Sequence, residues 1–351
     1  MDKKLKEIIF TLVSVFGSVL IALVVAELFI HDYKVGFKNL ILAEGGDLVR
    51  HHFNGLYSYD SLLGWVPASN TKKIKWGTEI STLNDGIRSN GTQNITNNKT
   101  LIMAFGDSYT FADEVGDSET RPAYIQELTG SQTLNAGVSS YGLDQTILRA
   151  QQLVPKYNPD IIIIGFVYDD MRRCQQSVRH GVPKPYFKVK NNRLVLKNVP
   201  IPFKENVQMD LFRRIFGYSQ LVHKLMCRLA PQYWWQDTMN DFRYVKGNNA
   251  LQITALLLHE LKKFTDEHRR VILLILDDRG IDETRHLVFR KIIDYVQKHL
   301  PQVEICDAAS VLFELKKTNP KKFEELYHGA HMSSDGNAMI ALMVAKIISK
   351  K

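Results

Sequence analysis

The stretch Leu101–Thr120, "LIMAFGDSYTFADEVGDSET", decides how the chain is read. It opens with an apolar run of the kind that makes a buried strand. The run stops at Gly106-Asp107-Ser108, and polar and acidic residues follow at once. A small hydroxyl residue there is either part of an ordinary strand-to-loop turn or a residue placed to do chemistry.

The surrounding pattern supplies the context. Apolar segments at 100–105, 132–138, 160–168, 270–277 and 302–308 read as strands. Helical patterns at 123–128, 145–154, 251–264, 284–299 and 336–348 fall between and after them. Apolar strands alternating with helices predict an α/β fold, a three-layer sandwich around a mostly parallel central sheet. In such sheets ligands bind beyond the carboxyl ends of the strands, which is where Ser108 falls. A serine is inert without a base to take its proton. The best-placed of the 11 histidines is His331, in "LYHGAHMSSDGNAMIALMVAKII", just ahead of the last helical segment.

Residues from about 172 to 248 break the alternation and read as an insertion. Within it, "PYFKVKNNRLVLKNVPIP" predicts a hairpin turning at Asn191-Asn192. "MDLFRRIFGYSQLVHKLMCRL" predicts one amphipathic helix with Leu211, Ile215, Leu221 and Leu225 inward. The aromatic cluster Tyr233–Trp235 is expected to pack beneath the insertion, with sugar stacking or a membrane interface as alternatives. Residues 31–100 read as a polar lead-in packed on the main domain, with turn signals at Gly64, Asn84-Asp85-Gly86 and Asn90-Gly91.

The N-terminus is apolar from Ile8 to Ile30, about 23 residues, enough to span a bilayer. Lys3, Lys4 and Lys6 precede it, which places the N-terminus in the cytoplasm and the rest of the chain across the membrane. Residues 1–30 are therefore expected to be a cytoplasmic tip and single-pass anchor. A cleaved signal peptide, cut near Val24-Val25-Ala26, is the rival, but the apolar run exceeds the usual h-region.

The 351 residues are 45% hydrophobic and 23% charged, which suits one large domain or two modest ones. The net charge of +8 is spread along the chain and fits an anionic envelope surface better than nucleic acid, for which no motif is present. Cys174, Cys227 and Cys306 match no metal pattern and allow at most one intramolecular disulfide. No metal and no cofactor are expected.

Four blocks in order resemble the SGNH (GDSL-type) hydrolases: "AFGDSYTF", "LNAGVSSYGLDQ", "NPDIIIIGFVYDD" and "HGAHMSSDGNAMIA". They span residues 101 to 340, most of the part beyond the anchor, and "YDSLLGW…LNDGIRSN" resembles the segment ahead of the serine in membrane-anchored members. The resemblance implies a flavodoxin-like α/β domain over 101–351, with Ser108 as nucleophile, His331 as general base, and the backbone N–H groups of Ser108 and Gly137 in the oxyanion hole. Two positions depart from the family. Its oxyanion asparagine is replaced by Asp169, which cannot donate when ionised, so that Asp169 either joins the oxyanion hole protonated, points away, or leaves the hole to the two backbone N–H groups. Its carboxylate three residues before the base is replaced by His328. Support for His331 is then sought from Asp107, His328, Asp335, another carboxylate or a backbone carbonyl, or is dispensed with in a Ser–His dyad. The resemblance implies a membrane-anchored, extracytoplasmic (periplasmic or cell-surface) serine esterase acting on acyl groups of envelope glycans or lipids. The alternatives are an O-acyltransferase on an envelope polysaccharide and a binding member without turnover.

Overall fold

Ile161–Ile164 is an unbroken run of β-branched residues, and in the structure, a computed structural model, it forms the middle of a five-stranded parallel sheet. The structure describes residues 3–30, 38–45, 55–75, 77–91, 97–203, 208–265 and 269–350. These fall into two compact units, one of residues 1–51, 180–182 and 204–242, the other of residues 52–179, 183–203 and 243–351. The stretch expected as an insertion is thus divided between them, and parts of the lead-in and of the expected N-terminal tip lie outside the described residues.

The larger unit holds the sheet. Its strands are β1 (Asn97–Phe105), β2 (Ser131–Asn135), β3 (Ile161–Phe166), β4 (Arg270–Ile275) and β5 (Val303–Asp307), in the order β5-β4-β3-β1-β2. In register, Ile102 faces Ile161 and Thr133, and Val271 faces Ile162 and Val303. Every residue of β3 is buried, as is every residue of β4 after Arg270. Strands buried on both faces need helices on both faces, hence the near-continuous apolar sequences. The strand order reverses between β1 and β3, the position at which a doubly wound sheet opens a crevice at its carboxyl edge.

The helices start where the sequence supplies caps. Thr120 accepts the Ala123 N–H, Pro122 occupies the first turn, and helix Arg121–Thr129 ends on the left-handed Gly130. Ser333 Oγ accepts the Gly336 N–H and starts the last helix, Ser334–Ile348, two residues beyond His331. That helix packs on Arg121–Thr129, and Ala250–His259 packs on Leu143–Tyr157. Asn191 and Asn192 both have positive φ, as a two-residue hairpin turn requires, and join Tyr186–Lys190 to Arg193–Lys197. In the lead-in, hairpins Tyr57–Asp60/Gly64–Pro67 and Lys72–Lys75/Thr78–Ser81 belong to this unit, with Trp65 fully buried and donating to Ser139 O. All three cysteines are free.

The smaller unit corrects one expectation. The single helix read over residues 209–229 is two, Leu211–Phe216 and Gln220–Leu229, broken at Gly217-Tyr218-Ser219. Ser219 caps the second helix through the Val222 N–H. Leu211, Ile215 and Leu225 point outward, and Leu221 is half-buried. The buried stripe is instead Arg213, Gly217, Gln220 and His223. It turns inward because its polar groups find partners there. Arg213 donates to Gln236 O and Gln208 O, and His223 lies between the Trp234 indole N–H and Glu44. A buried polar group is tolerated once it is hydrogen-bonded. Within the aromatic cluster, Trp234 is fully buried, Trp235 half-buried and Tyr233 exposed. The N-terminal helix, Lys3–Ile30, has no buried residue.

Candidate active site

β1 delivers its last residue, Phe105, to a single helical turn, Ser108–Phe111, at the carboxyl edge of the sheet. Asp107 caps this turn by accepting the Tyr109 N–H at 2.9 Å. The turn can sit this close because three glycines surround it. A Cβ on Gly106 or Gly165 would meet Thr110 Oγ1 at 2.2 or 2.5 Å, and one on Gly137 would meet the Phe111 nitrogen at 2.3 Å. The glycine of each of the first three blocks thus serves packing against the serine turn. From below, the buried Arg121 donates to Tyr109 O and Thr110 Oγ1, and burial pulls its guanidinium pKa down to about 10.

His331 reaches the same point from a tight hairpin, Tyr327–His328 paired with His331–Met332. Its Nε2 is 2.9 Å from Ser108 Oγ. The Tyr109 hydroxyl donates to Ala330 O at 2.9 Å, and the Tyr109 ring lies 5.3 Å from the imidazole, so the residue after the serine helps hold the histidine loop.

The third member is Glu114. Its Oε1 lies 3.1 Å from His331 Nδ1, and its Oε2 accepts the Ala330 N–H at 3.2 Å. A carboxylate only accepts, so Nδ1 must carry the proton and Nε2 must present its lone pair to the Ser108 hydroxyl. Ser108, His331 and Glu114 therefore form a hydrogen-bonded line with each group in the role that nucleophilic catalysis requires.

Glu114 is brought there by its backbone. The serine turn ends at Ala112 in the left-handed region (φ 64°), and Glu114 itself has φ 75°. Two left-handed residues in three positions curl the loop back over the site. Arg88 holds that loop from beneath. Its buried guanidinium donates to the carbonyls of Phe111, Ala112 and Val115 and pairs with Asp117. Beside it, the Tyr57 hydroxyl donates to Ser139 Oγ, which donates to Asp113 Oδ1, each at 2.7 Å. Burial pushes the Asp113 carboxyl above its ordinary range, against the pull of His331 and the Ser139 hydrogen bond.

The other expected site residues have different neighbours. Asp107 does not approach the triad as its acid; its Oδ2 takes Arg173 Nη1 at 2.7 Å, and the same Nη1 donates to Asp170 and Tyr141 O. Burial, then the Asp107 charge, raises the Asp170 carboxyl well above its ordinary range. His328 is the exposed register partner of His331, and Asp335 is exposed in the first turn of the last helix; Glu114 accepts the Nδ1–H hydrogen bond instead of either. Asp169 pairs with Arg172 and Arg173. The Gly137 N–H donates to Asn135 Oδ1 at 3.1 Å. The Ser108 N–H, first in its turn, has no partner within the turn and is the donor this geometry offers an oxyanion.

Sequence reasoning missed Glu114, Arg88, Tyr57, Ser139 and Asp113. The signal for Glu114 lay in the opening stretch itself, as the Asp113-Glu114 pair following the serine. Among the described residues no cluster of histidine, cysteine and carboxylate groups could hold a metal ion.

The sequence matches no protein-family model and no curated protein. Solved structures to which the chain is similar are those of esterases and lipolytic proteins. One is a catalytic variant of an acetylxylan esterase from Geobacillus stearothermophilus, at 14% identity and a TM-score of 0.43 over 73% of this chain and 97% of that one. Another is a member of the lipolytic G-D-S-L family from Veillonella parvula, at 11% identity and 0.42 over 72% and 100%. A third is the lipase/acylhydrolase from Enterococcus faecalis, at 14% identity and 0.41 over 71% and 95%.

Proposed function

We propose that the chain is a membrane-anchored serine ester hydrolase that removes O-acyl groups through Ser108, His331 and Glu114. The observation that carries this reading is the unbroken line from Ser108 Oγ to His331 Nε2, and from His331 Nδ1 to Glu114. Ser108 Oγ attacks the ester carbonyl carbon as His331 Nε2 takes its proton. Charge builds on the carbonyl oxygen, facing the Ser108 N–H at the start of the helical turn. The tetrahedral intermediate collapses, the alcohol leaves with the proton from His331, and an acyl-serine remains. Water then gives a proton to His331 and attacks the acyl carbon, releasing the acid and restoring Ser108. Glu114 keeps the Nδ1 proton in place and stabilises the imidazolium in both halves of the cycle. This role removes one of the two supports of the binding reading, the carboxylate replaced by His328, and leaves the other, the asparagine replaced by Asp169.

The N-terminal helix supports anchoring. Its 28 residues extend about 42 Å, more than the hydrocarbon core of a bilayer. Large apolar side chains such as Phe10, Phe16 and Phe29 are exposed along it, and its three lysines lie at the start. That arrangement supports a reading in which the catalytic unit lies outside the cytoplasm and acts on acylated envelope glycans or lipids. A sugar hydroxyl replacing water in the second half-reaction gives the transferase alternative.

The test is turnover of a short-chain p-nitrophenyl ester by the full chain in detergent, with and without an oligosaccharide acceptor, beside Ser108→Ala and His331→Ala. The reading requires turnover that both variants lose. A folded wild type without turnover contradicts it, and acyl-sugar product in place of free acid moves the assignment to the transferase.

A further inference from the structure

The helices Leu211–Phe216 and Gln220–Leu229 are built inside out for a surface exposed to water. Their buried stripe is Arg213, Gly217, Gln220 and His223, while Leu211 and Leu229 are each 72% exposed and Ile215 and Leu225 about half exposed. Phe212 and Phe216 add two partly exposed rings, tilted against one another with centroids 4.7 Å apart. A soluble helix turns its apolar stripe to the core and its charges to water. A cluster of large apolar side chains left outside marks a surface that meets something apolar.

The same unit shows what that is. Glu27, in the last turn of the N-terminal helix, accepts hydrogen bonds from Ser219 Oγ and from the N–H groups of Gln220 and Leu221, at 2.6–3.0 Å. Its carboxylate closes the N-terminus of the second helix, where the amide dipoles favour negative charge. This contact satisfies the one carboxylate in the apolar run and ties the start of the second short helix to the end of that run. The exposed apolar helix Lys3–Ile30 thus packs against Gln220–Leu229, the second of the two helices. Arg214, Lys224 and Arg228 are exposed on the same helices, as befits contact with anionic headgroups.

We propose that Leu211–Phe216 and Gln220–Leu229 form an interfacial foot, lying in the headgroup region of the bilayer with Leu211, Ile215, Leu225 and Leu229 among the acyl chains. The inference rests on the reading of Lys3–Ile30 as a membrane anchor. The foot is a second attachment, made by amphipathic helices lying along the membrane, and Glu27 fixes its level relative to the span.

The test places an environment-sensitive fluorophore on single introduced cysteines in the full chain, in a Cys227→Ser background whose remaining cysteines, Cys174 and Cys306, are buried, reconstituted into vesicles of phosphatidylethanolamine and phosphatidylglycerol. Labels go on Leu211→Cys, Ile215→Cys, Leu225→Cys and Leu229→Cys, with Phe16→Cys as the span control and Asn191→Cys as the water control. The proposal predicts that the four foot labels, like Phe16→Cys, lose most of their fluorescence to a doxyl-labelled lipid and resist aqueous iodide. If iodide quenches the four as fully as Asn191→Cys while Phe16→Cys remains in lipid, the foot is overturned and the anchor stands. If neither quencher reaches them, a second copy or another protein covers the face, and the lipid assignment is overturned. If Phe16→Cys is also open to iodide, the anchor and the foot fall together.

Discussion

Glu114 and His331 are 217 positions apart in sequence, yet the Glu114 carboxylate is 3.1 Å from His331 Nδ1. The proposed base is thus held by an acid from the loop after the proposed nucleophile, in place of one from its own hairpin. Glu114→Gln keeps the shape but loses the charge that fixes the tautomer and offsets the imidazolium. Loss of the equivalent carboxylate in a well-studied serine hydrolase lowers kcat by about 10⁴-fold, and a fall of that order is expected here. His328→Ala and Asp335→Asn should leave kcat nearly unchanged, because neither residue accepts the Nδ1–H hydrogen bond. Steady-state ester hydrolysis by the three variants checks this.

Gly329 shapes the hairpin that carries the base. It has φ 60°, and a Cβ there would come within 2.3 Å of Glu114 Oε2. Gly329→Ala should therefore cost about 1–3 kcal/mol of backbone strain and push the carboxylate off His331. The expected result is a fall in kcat larger than any rise in KM. Activity equal to wild type would mean that Glu114 need not stay where it is.

Arg88 is fully buried, and three loop carbonyls depend on it. Arg88→Leu leaves those acceptors and Asp117 without their partner, a change that costs about 3–5 kcal/mol when a buried ion pair is broken. Arg88→Lys keeps the charge but cannot reach all three carbonyls. Denaturant midpoints should fall in both variants, and ester hydrolysis by folded Arg88→Lys should fall with them because the Glu114 loop is no longer held.

Asp277 lies just beyond β4, and burial followed by the Asp278 charge raises its carboxyl to about 7. The folded chain then keeps a proton that the unfolded chain loses near pH 4, so this group's contribution to stability declines as pH rises from about 4 through about 7. Asp277→Asn cannot ionise and should flatten that part of the pH–Tm profile. A variant with an unchanged slope would assign the decline to other groups.

The parallel sheet was legible because β3 and β4 are nearly pure runs of Ile, Val and Leu, which only a strand covered on both faces accommodates. Ser108 and His331 were legible because each stands next to an element boundary at the same sheet edge. Glu114 was not, since its position depends on left-handed backbone at Ala112 and Glu114, which no spacing rule encodes. The helices around Arg213 were read with the wrong face inward for a different reason. Periodicity locates an apolar stripe, but not the medium that covers it. Arg213 and His223 turned inward because the surrounding carbonyls and Trp234 satisfy them.

The most direct test of the triad is the rate at which a fluorophosphonate labels the full-length protein, with the adduct located by peptide mass spectrometry. Wild type should carry the adduct on Ser108, His331→Ala should carry none, and Glu114→Gln should label orders of magnitude more slowly. An adduct on any other residue, or Glu114→Gln labelling as fast as wild type, would contradict the account.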